Sequence, residues 1–361
     1  MHITFLIGNG FDRNLGLNTT YSDFVKVYKN LTSKSEHINR FRTYIKENEK
    51  LWSKAEEALG QYTQELEKGQ GPIFSECQAD FCANLAHYLK EQEQRIDYVG
   101  NKDAVLKAFR KFRNLTEPFS TAERTKINSL YDNCLGKVIQ FDFIDYNYTY
   151  TLDRCLKIVK GTSILLGSFD YNGMNFNCSV GKVCHVHGTV DGQMVFGVND
   201  DSQVAKPEVF EENDGDLSKA LLIKKLANES YGENTDATAA KILEASSIIY
   251  VYGMALGITD TLWWKRICEW LAKSETRHLI LHQYEMPSAD VIPFQQHQFE
   301  RKTKRSFCDL GKLPKEQWSA VENRIHITSY NIFEPIKNIA SPLPTNLEDS
   351  SPNSKNLVTV V

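Results

Sequence analysis

The chain has 361 residues, of which 41% are hydrophobic and 24% charged, so one large or two ordinary globular domains are expected and a collagen-like, coiled-coil or wholly disordered protein is not. The 42 Lys and Arg residues oppose 46 Asp and Glu residues, and the formal net charge of -4 gives no global reason to expect nucleic acid as the main ligand. The longest apolar stretch, residues 248–258, is about half as long as a transmembrane helix, and the amino terminus lacks a signal-peptide pattern, so a cytoplasmic location is expected.

The first predicted elements are a short strand and a long helical block. Residues 2–7 (HITFLI) are apolar and β-prone, and they end at a turn of Gly8, Asn9 and Gly10. Residues 21–67 and 73–137 are rich in helix-forming side chains and are separated by the Gly-Pro break at residues 69–72. The sequence therefore predicts a helical insertion over residues 21–137.

The second half of the chain returns to strands. Residues 138–148, 182–188 and 194–199 are strand candidates, and polar residues 207–241 predict a surface excursion with a helix near residues 217–228. Residues 246–252, a glycine turn, a helix at 259–273 and a strand at 277–284 form a βαβ pattern with parallel strands. A last strand is expected at residues 324–330 and a disordered tail at 341–361.

Two motifs follow predicted strands in the first half of this pattern. Gly8 and Gly10 would let a diphosphate approach the backbone, although Arg13 stands where the dinucleotide fingerprint has its third glycine, and a plain strand-to-helix turn is the alternative. Asn147 and Thr149 lie at the end of the next strand, where ligands bind in open α/β sheets, or else they form a turn before a helix.

Two further motifs lie later in the chain. His185 and His187 would share one face of a strand that ends at Gly188, so His187 could act as a base, or the pair could bind a metal with Asp142 or Asp145, or both could be structural. The glycine turn of residues 253–260 opens onto a helix, which favours an anion or a ribose, whereas Asp260 also suits the first turn of that helix.

Taken in order, four motifs resemble those of the bacteriophage abortive infection AbiH family. They are IGNGFD with GLNTTYSDF, DYNYTYTLDR, HVHG with VFGVND, and YVYGMALGITDTLWW. The resemblance extends from the amino terminus to about residue 335. It implies a protein of bacterial defence against phage.

A more distant resemblance is to sirtuin-like NAD-binding domains, which carry in the same order a GAG turn, an N-x-D segment, a catalytic HG and a GTSL turn. Thr149 takes the place of the acidic residue, and Met254 and Ala255 replace two hydroxyl residues. The eight cysteines include no CxxC pair and form no zinc-binding quartet, so reduced thiols are expected and a protein deacylase is not.

The sirtuin-like resemblance implies roles for individual residues. His187 and Asn147 would be catalytic, with His187 deprotonating or orienting a ribose hydroxyl and Asn147 positioning the water or the ribose. The backbone N–H groups of residues 9–11 would bind the diphosphate, and Asp12 would lie near the nicotinamide ribose. The residues expected to contact NAD are Gly8, Asn9, Gly10, Phe11, Asp12, Thr149, Gly188, Gly253 and Leu256.

The sequence thus predicts an α/β fold with a mostly parallel, Rossmann-like and sirtuin-like sheet, built from a discontinuous nucleotide-binding domain of residues 1–20 and 138–335. The predicted function is an antiphage NAD glycohydrolase (NADase), with NAD as substrate and no metal. The alternatives are a metal-dependent hydrolase or nuclease using His185 and His187, and a non-enzymatic nucleotide sensor.

The predicted partners are NAD or a related nucleotide, a phage-derived trigger and a second copy of the chain, whereas a membrane and nucleic acid are not expected. Because a toxic NADase must be silent before infection, the prediction includes a closed pocket or an assembly-dependent switch.

Overall fold

The computed structural model describes residues 1–134, 136–162, 165–213, 215–232, 234–287 and 293–342. The predicted disordered tail lies outside the described residues from residue 343 onward. None of the helices within the described residues has the length and hydropathy that crossing a membrane requires.

The described residues contain one seven-stranded sheet. Its strands are β1 (His2–Ile7), β2 (Val138–Asp145), β3 (Leu165–Tyr171), β4 (Met174–His185), β5 (Ile248–Tyr252), β6 (His278–His282) and β7 (Ile325–Thr328). They lie in the order β3-β4-β2-β1-β5-β6-β7, and each neighbouring pair is parallel except β3 and β4. The predicted α/β class with a mostly parallel sheet is confirmed.

The helices of the described residues connect and cover these strands. They are α1 (Gly10–Asn14), α2 (Tyr21–Tyr28), α3 (Glu36–Glu47), α4 (Ala55–Tyr62), α5 (Gly71–Glu93), α6 (Lys102–Arg110), α7 (Thr121–Asp132), α8 (Thr151–Thr162), α9 (Gly215–Leu222), α10 (Lys224–Ser230), α11 (Thr235–Ala245), α12 (Thr261–Ala272), α13 (Pro293–Leu310) and α14 (Lys315–Glu322). The predicted βαβ unit is confirmed as β5, α12 and β6, with the two strands parallel.

Strand β1 lies at the centre of the sheet, and its apolar side chains are buried on both faces. On one face, the Phe5 ring stacks on Phe112, with ring centroids 4.3 Å apart, and on Tyr250, at 5.0 Å. On the other face, Leu6 belongs to a core cluster that includes Trp264. Helices therefore cover the centre of the sheet on both sides.

The predicted helical insertion packs in two different ways. Helices α2 to α5 contribute to a second core around Phe24, Phe41 and Phe81, whereas Phe109 of α6 and Ile127 of α7 belong to the core on one face of the sheet. The helices predicted over residues 21–137 are confirmed, and the assignment of these residues to a separate domain stays a prediction.

The predicted surface excursion of residues 207–241 is wrong in one respect. Val209, Phe210 and Leu222 are buried in the same core as α2 to α5, with exposed fractions of 0%, 3% and 0%. These few apolar residues are surrounded in the sequence by polar ones, so the overall composition of the segment did not indicate that they are buried. The segment therefore completes the helical core instead of lying on its surface.

The edge of the sheet next to β2 also differs from the prediction. Residues 194–199 are not a strand, β4 begins at Met174, well before residue 182, and β3 was not predicted. Strands β3 and β4 form a hairpin whose turn residues, Asn172 and Gly173, have φ values of 49° and 74°. Asn-Gly is a typical two-residue hairpin turn, so this signal was present in the sequence.

Candidate functional site

A cavity lies where the carboxyl ends of neighbouring strands meet. The strand register places Ile7 of β1 beside Asp145 and Tyr252, and Asp145 beside His185. The cavity has a volume of about 400 Å³, which lies within the range of roughly 300–1,000 Å³ that is usual for small-molecule sites. The structure describes every predicted site residue. Those that line the cavity are Gly8, Asn9, Asp12, Asn147, Thr149, His187 and Gly253, whereas Gly10, Phe11, Gly188 and Leu256 lie outside its lining.

The first turn, after β1, packs directly against the turn after β5. The Gly10 N–H donates a hydrogen bond of 2.8 Å to the Gly253 carbonyl, and the Phe11 N–H donates one of 2.9 Å to the Gly8 carbonyl. A Cβ atom at Gly10 would lie 2.4 Å from the Gly253 Cα, so the close approach requires glycine. Two of the three N–H groups predicted to bind a diphosphate are therefore engaged within the protein.

The side chains of this first turn differ in their surroundings. Phe11 is fully buried and packs edge-on against Phe333, so it belongs to the core. The Asn9 amide is tied to Thr19, whose carbonyl accepts a hydrogen bond of 3.2 Å from Asn9 Nδ2. Of the turn's side chains, Asn9 and Asp12 line the cavity.

Asp12 is a buried carboxylate, 1% exposed, held by two threonine hydroxyls. Thr149 Oγ1 donates a hydrogen bond of 2.7 Å to Asp12 Oδ2, and Thr151 Oγ1 donates one to Oδ1. Burial raises the pKa of Asp12 to about 6, with the two hydroxyl bonds acting in the opposite direction. Thr149, at the position where the sirtuin-like pattern has an acidic residue, thus contacts a carboxylate supplied by the first turn.

Asn147 is fixed in the turn after β2 by contacts from two neighbouring strands. Its backbone N–H donates a hydrogen bond of 2.9 Å to Asp145 Oδ1, and its side-chain Nδ2 donates one of 3.2 Å to the Gly8 carbonyl. The same turn is held from the helical side by Glu93 of α5, which accepts a hydrogen bond from the Tyr150 N–H and forms an ion pair of 3.1 Å with Arg154. The turn is therefore anchored on both sides of the cavity.

His187 lies beyond the end of β4 and faces the cavity between two tyrosine rings. Its ring centroid is 5.5 Å from that of Tyr146, which it meets edge-on, and 6.2 Å from that of Tyr148. Burial, followed by the charge of Lys224, lowers the pKa of His187 well below its usual value. The imidazole is therefore neutral near pH 7. Gly188 follows His187 with a φ of 72°, a conformation that favours glycine, and this turns the chain directly after the histidine.

His185 does not share the surroundings of His187. The prediction that a strand continuing to Gly188 places both on one face is wrong, because β4 ends at His185. The His185 Nε2 lies 2.9 Å from Asp153 Oδ2, and its Nδ1 lies 3.9 Å from Asp145 Oδ2. Burial lowers the pKa of His185, but the bond to Asp153 and the charge of Asp145 outweigh it and raise the value to about 9. Asp142, the other candidate partner, instead pairs with His2 at 2.7 Å.

Asp145, Asp153 and His185 form a group, found among the described residues, whose potential metal-ligand atoms lie within 4.8 Å of one another. However, the two carboxylates approach opposite nitrogens of the imidazole ring. In this arrangement the two carboxylates therefore hold the ring from opposite sides.

The second turn, after β5, forms another wall of the cavity. Gly253, Met254, Ala255 and Asp260 line it, whereas Leu256 packs against the core cluster that contains Trp264. Burial raises the pKa of Asp260 to about 6, and the positive charge of Lys224 acts against it. Leu256 therefore lies outside the cavity lining, and its predicted contact with a ligand stays a prediction.

The helical block supplies a wall that the sequence did not predict. Tyr21, Glu56 and Leu85 line the cavity. Glu56 Oε2 forms a buried ion pair of 2.8 Å with Lys224 of α10, and Tyr21 OH donates a hydrogen bond of 3.2 Å to Glu56 Oε1. Tyr21 belongs to the quoted GLNTTYSDF motif, but no local pattern marks Glu56 or Lys224, because they meet only through the tertiary fold.

This fold and cavity define an α/β protein with a candidate site at the carboxyl edge of a mostly parallel sheet. The site combines a buried carboxylate, an asparagine and a neutral histidine. The chain belongs to the bacteriophage abortive infection AbiH family, whose family model matches residues 4–282. Membership implies a role in defence against phage by abortive infection. No curated protein and no solved structure matches the chain. The more distant sirtuin-like resemblance stays a prediction.

Proposed function

We propose that this protein hydrolyses NAD to nicotinamide and ADP-ribose in the cytoplasm, as the toxic step of its role in phage defence. The position of the cavity in the strand order carries the proposal. When the antiparallel β3 is left out and the remaining six strands are numbered along the chain, their order across the sheet is 3-2-1-4-5-6. Doubly wound sheets of this order bind dinucleotides at the carboxyl ends of the strands, where the order reverses. Here the reversal falls between β1 and β5, and the turns after both strands border the cavity.

The proposed reaction breaks the bond between the ribose C1′ and the nicotinamide nitrogen. The bonding electron pair goes to the pyridinium nitrogen, which becomes neutral, and C1′ gains oxocarbenium character. Water then adds to C1′ and releases one proton, which gives ADP-ribose. Such a reaction chiefly requires stabilisation of positive charge at the sugar and a positioned water molecule.

The groups around the cavity are suited to these two requirements. Above pH 6 the Asp12 carboxylate is ionised, and it stabilises positive charge on the sugar. Asn147, fixed through its backbone and its side chain, positions the water or the ribose. His187 is neutral and offers a lone pair, and its lowered pKa favours orienting a ribose hydroxyl over holding a proton.

The proposal requires the resting site to open before a diphosphate can bind. Because the Gly10 N–H already donates to Gly253, the turn after β5 must move for a diphosphate to take that N–H. A phage-derived trigger or a second copy of the chain would bias this movement by binding the open form more tightly. This closed contact supports a protein that is inactive before infection.

The test is nicotinamide release from NAD by the purified protein, with and without a chelator. Release should persist with the chelator and fall at least about tenfold in His187→Ala, whereas His37→Ala, on the exposed surface of α3, should match the wild type. If the wild type binds NAD in calorimetry but releases nothing, with or without phage lysate, the sensor alternative replaces the proposal. Neither release nor binding would overturn the NAD assignment altogether.

The assembly-dependent switch has its own test. Activity per molecule should rise with protein concentration if a second copy opens the site. Activity that stays flat across a wide concentration range would remove the second copy from the proposal and leave the trigger.

The metal-dependent alternative makes different predictions. It requires His185 and His187 to act together, so both alanine variants should lose activity equally and the chelator should abolish it. The separate surroundings of the two histidines favour an unequal effect.

A further inference from the structure

The two peptide groups that flank the Asn147 Cα are both hydrogen-bonded to a cluster of three side chains, Asp145, His185 and Asp153. The Asn147 N–H donates a hydrogen bond of 2.9 Å to Asp145 Oδ1, and the Asn147 carbonyl accepts one of 3.4 Å from His185 Nδ1. Asp145 is fully buried and His185 is largely enclosed, its side chain 15% exposed. Both the backbone N–H and the backbone carbonyl of Asn147, the residue proposed to position the water, are therefore hydrogen-bonded.

His185 can make its two contacts together only as a charged ring. Nε2 donates to Asp153 Oδ2 at 2.9 Å while Nδ1 donates to the Asn147 carbonyl. A neutral imidazole carries one N–H, so it must give up one of these two bonds, whereas the imidazolium donates from both nitrogens. The Asp153 carboxylate stabilises that charged form through its hydrogen bond. Asp145, on the other side of the ring, adds to this when it is ionised, since burial raises the pKa of Asp145 to about 8 and the charge of His185 acts against that rise.

We infer that the Asp145–His185–Asp153 cluster is a positioning device that holds the Asn147 backbone in its working geometry only while His185 is charged. The inference rests on the proposed function, since Asn147 is given a role in that reaction. His185 touches no substrate in this scheme and acts through Asn147. Misplacement of a reacting group by about 1 Å can lower a rate on the order of a hundredfold, so a small shift of Asn147 is sufficient for a large effect.

Other charged groups around the cluster belong to several elements. In addition to Asp145 of β2 and Asp153 of α8, they are Asp12 of α1, Glu93 of α5 with its partner Arg154, and Lys157 and Lys160, which share a surface pocket with Asp153. The Tyr150 ring, whose centroid lies 6.0 Å from that of His185, covers one side of the imidazole. Only Asp153 contacts the ring at hydrogen-bond distance through a carboxylate within the described residues, so it is the group to change.

Asp153→Asn tests the inference because it keeps an acceptor for His185 Nε2 and removes the charge. The side chain of Asp153 is 35% exposed, which makes the substitution tolerable for folding. Asp201→Asn is the matched control, since it removes an exposed carboxylate that is also paired with a cation, Lys219. His185→Gln, which offers one amide group in place of two ring donors, is the second variant.

The first measurement is the pH profile of nicotinamide release between pH 6 and 10, corrected for the spontaneous decay of NAD. Wild-type activity should fall as the pH rises through about 9, where His185 loses its proton. In Asp153→Asn this alkaline limb should move to lower pH by about one unit or more, because a neighbouring opposite charge has been removed. At pH 7 the kcat of His185→Gln should fall by about tenfold to a hundredfold with little change in KM.

The second measurement is hydrogen exchange at the Asn147 amide, which needs no activity. At a pH of about 8.5, between the two alkaline limbs, exchange should be faster in Asp153→Asn and His185→Gln than in the wild type, and unchanged in Asp201→Asn. An alkaline limb and an Asn147 exchange rate that both stay at wild-type values in Asp153→Asn would overturn the inference. If the wild type releases no nicotinamide, the proposed function fails, and the exchange rates still decide whether the cluster holds Asn147.

Discussion

Replacement of Asp12 by Asn should stabilise the protein while it weakens the proposed reaction. Asp12 is 1% exposed, and burial raises its pKa from 3.8 to about 6. Each pKa unit corresponds to about 1.4 kcal/mol, so keeping this carboxylate ionised in the folded state costs about 3 kcal/mol at neutral pH. Asparagine preserves the shape and can still accept from one threonine hydroxyl while donating to the other. The expected gain in the free energy of unfolding is therefore about 1–3 kcal/mol.

The pH dependence gives the prediction its direction. Between the unfolded pKa of 3.8 and the folded pKa of about 6, the folded protein binds more protons at Asp12 than the unfolded chain does. This group therefore lowers the stability of the wild type as the pH rises through that window, and its effect is constant above it. The gain from Asp12→Asn should be near zero at pH 4, grow between pH 4 and 6, and stay level at pH 7.5.

Urea unfolding of the wild type and of Asp12→Asn at pH 4.5 and pH 7.5 measures this gain, and nicotinamide release at pH 7.5 measures the accompanying loss of activity, expected to be at least about tenfold. Asp201→Asn, which removes an exposed carboxylate outside the cavity lining, serves as the control. A variant that is no more stable than the wild type at pH 7.5, or whose gain is the same at both pH values, would refute the assignment of Asp12 as a buried charge.

Two further substitutions probe the walls of the cavity. Lys224→Met should lower the free energy of unfolding by about 3 kcal/mol, because it leaves Glu56 buried without its partner. Adding Glu56→Gln to this variant should recover most of that loss in the same urea assay. A loss that persists undiminished in the double variant would show that packing, not the ion pair, is responsible. Gly10→Ala should lower stability by about 1–3 kcal/mol and the melting temperature with it, since its Cβ would press on the Gly253 backbone; a wild-type melting temperature would contradict the close approach of the two turns.

The strands that the sequence predicted well are those buried on both faces. Strands β1, β5 and β6 are built around continuous runs of apolar or β-branched residues, at residues 3–7, 248–252 and 279–281, and such runs are typical of central parallel strands. Strand β7, at the end of the sheet, is also buried along its whole length. Strand β3 lies at the edge of the sheet and the first half of β4 lies beside it, and in both segments polar and apolar residues mix so that no apolar run stands out. There the Asn172–Gly173 turn was a better signal than hydropathy.

The candidate site divides in the same way. Residues in the turns that follow strands could be predicted, because the carboxyl ends of parallel strands share one edge of the sheet, and Asp12, Asn147, Thr149 and His187 do meet there. Glu56 and Lys224 are 168 positions apart and lie on helices, so their pairing depends on how the helical core docks on the sheet. Periodicity along a single helix contains no information about that docking.

The contact between the turn after β1 and the turn after β5 blocks the proposed diphosphate position, but only a small free energy is needed to break it. Gly10 cannot donate its N–H to Gly253 and to a diphosphate at the same time. The bonds that must be given up are two backbone hydrogen bonds, from the Gly10 N–H to Gly253 and from the Phe11 N–H to Gly8, and the net contribution of each is about 1 kcal/mol. A ligand, or a partner that contacts the helical wall, needs only a modest difference in affinity between the two forms to shift such an equilibrium. Close glycine packing thus allows the proposed NADase to rest in an inactive form that a weak signal can open.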